Sequence, residues 1–114
     1  MVWRAFATGS GEKDAIGSEG GIVLLDEVYD DAARITLERD TQCKAPAAIT
    51  CGIFGWMVHT RFFSGLAEGL HAYEAMKVDL AGIVDRIPLE AAPDRDAQMK
   101  DVTKAISVFV EKYP

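Results

Sequence analysis

AAITCGIFGWMVHTRFF, residues Ala47 to Phe63, is the most apolar stretch of the chain, and its reading decides the fold. Its Ile, Thr, Phe, Trp and Val content favours extended backbone. Gly52 and Gly55 would each weaken a helix here by about 1 kcal/mol. As a strand the stretch is long, so a bulge or bend at one glycine is expected. On an extended chain Phe54, Trp56, Val58 and Phe62 share one face, and Ile49, Cys51, Ile53 and Met57 share the other. Both faces are apolar, which is the mark of a central strand.

Upstream, Ala33, Ile35 and Leu37 alternate with Arg34, Thr36 and Glu38, the pattern of a half-buried strand over Ala33 to Arg39. Ile22 to Tyr29 reads as its hairpin partner, with Asp30-Asp31 as the turn. Leu25, Val28, Ala32 and Ile35 also fit a helical stripe, but the clean alternation of residues 35–39 favours the hairpin. Val2 to Thr8 has the β-branched and aromatic content of a short strand. Gly9 to Gly21, with five of the ten glycines, reads as a long connection or a flap.

Downstream, Ser64 can cap a helix that runs to about Ile87 and stops at Pro88. Leu66, Leu70, Tyr73, Met76, Leu80, Ile83 and Ile87 form its apolar stripe. A second helix, Asp94 to about Tyr113, carries Met99, Val102, Ile106, Phe109, Val110 and Tyr113 on one side. Asp94 and Asp96 in its first turn and Lys112 in its last complement the helix dipole. The expected fold is a single α+β domain over residues 1–114: a four-stranded antiparallel meander followed by two C-terminal amphipathic helices packed on one face, ββββαα.

Two helices shelter one face of a sheet only. An apolar second face marks an interface, so a homodimer is expected, with Ile49, Ile53 and Met57 as interface candidates. The chain carries 18 acidic and 12 basic side chains, a net charge of −6, and its basic residues are scattered. Without a basic stripe, nucleic-acid binding is not expected, whereas a basic protein partner would be steered favourably. Met1-Val2-Trp3-Arg4 lacks the start of a secretory signal, and no apolar run is long enough to span a membrane. A cytoplasmic protein without membrane association is expected.

The residues with chemical potential are few. His59 and Arg61 lie two apart just before the Ser64 helix start, so on a strand they point to one face. Guanidinium, imidazole and free helix N–H groups could together hold an anion. The plainer alternative pairs Arg61 with one of the acids and leaves His59 at the edge of the core. Cys43, Cys51, His59 and His71 are spaced by eight, eight and twelve residues, without the close pair that seeds a zinc site, so no metal is expected. A cysteine–histidine nucleophile pair among them is neither supported nor excluded. The glycines from Thr8 to Lys13 fail both the Walker and the Rossmann spacing. Asp26, Glu27, Asp30 and Asp31 read as a solvated acidic turn. No catalytic group or cofactor motif stands out. Two functions follow: a small acidic binding protein acting through an apolar surface, or a ligand-binding protein or enzyme holding an anion at the His59–Arg61 junction.

Overall fold

In a computed structural model that describes residues 3–5, 16–42, 45–88 and 91–114, two tight reversals shape the sheet. Asp30 and Asp31 both adopt positive φ, 52° and 53°, which aspartate tolerates better than bulkier residues. Ala32 N–H closes the turn on Tyr29 C=O at 2.9 Å. This joins β2 (Ile22–Tyr29) to β3 (Ala33–Arg39), the hairpin that residue alternation predicts.

The second reversal corrects the expected four strands to five. Gly55 has φ +82°, and Trp56 N–H donates to Ile53 C=O at 2.9 Å. The stretch from Ala47 to Phe63 therefore folds back as β4 (Ala47–Ile53) and β5 (Met57–Phe63). Extended, its seventeen residues would reach about 56 Å, longer than the molecule's 46 Å. The glycine expected to bend a strand reverses it instead. With β1 (Trp3–Ala5), the strands form one antiparallel meander in the order β1-β2-β3-β4-β5. The expected first strand ran from Val2 to Thr8; Val2 and 6–8 lie outside the described residues, as do the glycines at 9 and 11 and Cys43.

Register assigns the faces. Tyr29, Ala33, Ile53 and Met57 form one row across the sheet, and Leu25, Leu37, Ile49 and Arg61 another. These rows face α1 (Leu66–Val84), which buries Ala72, Tyr73, Met76, Leu80 and Ile83 against them. The helix sits close because residue 69 is glycine: a Cβ there would lie 3.3 Å from that of Ala47. α2 (Arg95–Lys112) packs on α1 through Val102 and Phe109. Ser64 does not cap α1. The N-cap is Gly65, and the Ser64 hydroxyl donates to Glu68 at 3.2 Å.

Ile49 and Ile53, expected at an interface, are 0% and 1% exposed and belong to the core, against which Met57 also packs. The reversal at Gly55 is the cause, since it puts the odd-numbered residues of both β4 and β5 beneath α1. The other face of β4 then carries Ala48, Thr50 and Gly52, small or polar rather than apolar. No helix among the described residues is long and apolar enough to cross a membrane.

Candidate functional site: the outer face of the sheet

His59 and Arg61 do share the inner face of β5, yet each is engaged in holding α2. His59 Nε2 donates to the Tyr113 carbonyl at the end of that helix, and its ring meets Phe109 edge-on at 6.4 Å. The Arg61 guanidinium lies over Phe63 at 4.8 Å and Tyr113 at 6.0 Å rather than against an acid. Arg61 sits where a helix C-terminus favours positive charge. Ser64, turned toward Glu68, adds a carboxylate to the junction that would repel an anion. The three residues do not converge on a common cavity among those described.

Cys51 stands directly opposite His59 in the β4–β5 register. The thiol is 2% exposed, and burial pushes its pKa up to about 12, so it is protonated and inert at neutral pH. His71 is exposed on α1. No group of three potential metal ligands occurs among the described residues.

Three acids are engaged as well. Each of the three tyrosines donates to a carboxylate across the fold: Tyr29 to Asp85 at 2.9 Å, Tyr73 to Glu27 at 2.7 Å and Tyr113 to Asp79 at 2.5 Å. Lys77 completes the second pair at 3.0 Å from Glu27, and Lys112 the third at 2.9 Å from Asp79. These anchors tie sheet to helix and helix to helix at long sequence separation. Sequence spacing contains no signal for them. Burial first, and the neighbouring carboxylate second, raise the pKa of Tyr29, Tyr73 and Tyr113.

A raised folded pKa contributes stability below the unfolded value, about 10 for tyrosine, and that contribution is lost as pH climbs beyond it. Alkaline titration is therefore expected to show tyrosinate absorbance rising together with loss of circular dichroism, above about pH 10. Tyrosines that ionise near their ordinary value with the fold intact would refute these anchors.

The outer face differs in character. Asp26, Thr36, Thr50 and Thr60 form a polar row across β2 to β5. Arg34 grips Asp26 as a fork, at 2.9 and 2.6 Å, and Thr36 donates to the same carboxylate at 3.3 Å. Ser18, Thr50 and Thr60 continue the row through hydroxyl contacts of 3.1 and 3.3 Å. Residues 16–21 fold over one end, where Glu38, 0% exposed, accepts from Gly21 N–H at 2.8 Å and Glu19 N–H at 3.2 Å.

Above the polar row lies a cavity of about 380 Å³, rimmed by Ile16, Phe54 and Val58. These three are 68%, 61% and 81% exposed, and Phe62, on the same face of β5, is 46% exposed. The side chains of this polar floor bond to one another beneath an apolar rim, a lining of the kind that receives a ligand or a partner surface. Compared with known proteins, the chain matches no family model, no curated protein and no solved structure.

Proposed function

We propose that this is a binding protein that carries out no chemistry of its own and receives a protein partner on the outer face of its sheet. The observation that supports this most is the exposure of Ile16, Phe54 and Val58 around a shallow cavity, with Phe62 exposed on the same face, above a floor whose Asp26, Arg34 and threonine side chains are bonded to one another. Large apolar side chains clustered in this way serve as contact points. The net charge of −6 favours a basic partner, whose association would slow as salt is raised. The alternative, an anion held at the β5–α1 junction, has less behind it, since His59 and Arg61 are turned to Tyr113 and Ser64 to Glu68.

The test is partner capture from the native host with two charge insertions. Val58→Glu is expected to abolish recovery of a stoichiometric partner. Val78→Glu, at a residue 72% exposed on α1, is expected to leave it unchanged. Capture that survives Val58→Glu, in protein with a native circular dichroism spectrum, would remove the outer face from consideration.

A further inference from the structure

We propose that two copies of this chain pair through the free edge of β5, antiparallel about Thr60, so that two five-stranded sheets join into one of ten. The inference goes beyond the reading above by adding a second copy of the chain at the edge of the same sheet, and rests on the same exposed residues of β5.

β5 is the last strand of the sheet, paired with β4 alone over seven consecutive residues without a bulge. Among the described residues its other edge makes no backbone hydrogen bond. The strand lacks the devices that keep strand edges apart, namely proline, lysine and a bulge, and no described segment pairs with its rim. Arg61 is its one fixed charge, and that side chain turns inward over Phe63 and Tyr113. The C-terminal turn of α2 covers the inner side of the strand only, leaving Val58 and Phe62 open.

The strand is also self-complementary. A two-fold axis normal to the sheet at Thr60 keeps both outer faces on one side. It sets Val58 of each copy opposite Phe62 of the other, and Thr60 opposite itself. Aromatic against β-branched and threonine against threonine are favourable cross-strand pairs, and the symmetry makes the first pair twice. A shift by one residue would oppose inner to outer side chains and lose both. Charge agrees with this choice of occupant. Copies of a chain with net charge −6 repel over most of their surface, but β5, Met57 to Phe63, contains no acid. Two acidic copies can approach here at least electrostatic cost.

The experiment uses the full chain in sedimentation equilibrium from micromolar to millimolar concentration. The wild type is expected to dimerise. Phe62→Glu and Val58→Lys are each expected to weaken self-association about a hundredfold, by opposing a charge to an apolar side chain. Combining V58K with F62E is expected to restore much of the lost affinity, because the new charges face each other only across the axis. Circular dichroism and thermal melts check that each variant folds.

Oxidative cross-linking gives a second readout that does not depend on those charges. In a Cys43→Ser background, Thr60→Cys is expected to form a covalent dimer. Val58→Cys is not, since antiparallel pairing about Thr60 places the two copies of residue 58 about 13 Å apart. A wild type monomeric at every concentration overturns the proposal, as does a dimer insensitive to both charge variants or one that cross-links at 58 and not at 60. A monomeric wild type that still captures a partner through Val58 overturns the pairing and leaves the binding function standing. A β5 dimer whose partner capture is indifferent to Val58→Glu does the reverse.

Discussion

Replacing Ile49 with alanine is expected to destabilise the protein by about 2–5 kcal/mol, while Val58→Ala changes stability by no more than about 0.5 kcal/mol. Both residues are apolar and lie in one hairpin, yet they occupy opposite sides of the sheet. Ile49 is 0% exposed, between Leu37 and Arg61 in the register and beneath α1. Removing its side chain loses transfer free energy and leaves a cavity that its neighbours fill only in part. Val58 is 81% exposed, so its truncation disturbs no packed contact. Chemical denaturation at dilute concentration, where self-association makes no contribution, measures the contrast. Equal, small effects at both positions would mean that Ile49 does not face the helices, and would reinstate it as an interface residue.

Glu38→Ala is the second large effect: about 3 kcal/mol of lost stability and a Tm lowered by roughly 10 °C. The carboxylate is the point on which residues 16–21 close, accepting from Gly21 N–H at 2.8 Å and Glu19 N–H at 3.2 Å. Alanine would leave two backbone donors unpaired, one of them buried. The fit is tight: a Cβ added at Gly17 would meet Glu38 Oε2 at 2.4 Å, so Gly17→Ala is expected to act in the same direction. Calorimetry gives the Tm, and hydrogen exchange at the Gly21 amide reports the bond itself. If Glu38→Ala melts within a degree of the wild type and the Gly21 amide keeps its protection, the loop is held by something other than this carboxylate. Because Ile16 and Ser18 of this loop help to line the outer cavity, the same substitution is also expected to weaken partner capture.

Most of the secondary structure could be read in advance. β2 and β3 lie where the alternation of Ala33, Ile35 and Leu37 and the Asp30-Asp31 turn place them, and the two helical stripes mark α1 and α2. Much less of the outer face was legible. Glu38 alternates outward with Arg34 and Thr36, which reads as a solvent-facing position, and only the approach of Gly17 and Gly21 makes it buried. His59, Arg61 and Ser64 looked like one cluster because they are close in sequence. Their partners, Tyr113 and Glu68, lie in later elements and separate them.

The amino-acid sequence by itself determined where the chain is extended, where it is helical and which residues are apolar enough to form a core. Those properties follow from side-chain branching and from periods of two and 3.6 residues, which are local. Tertiary structure alone decided that Gly55 reverses the chain rather than bends it, which side of β4 and β5 the helices cover, and which acids the three tyrosines hold. Glycine permits either backbone path. The choice between them depends on burial and hydrogen bonds shared by residues far apart in the chain, and such pair properties exist only once both partners are in place.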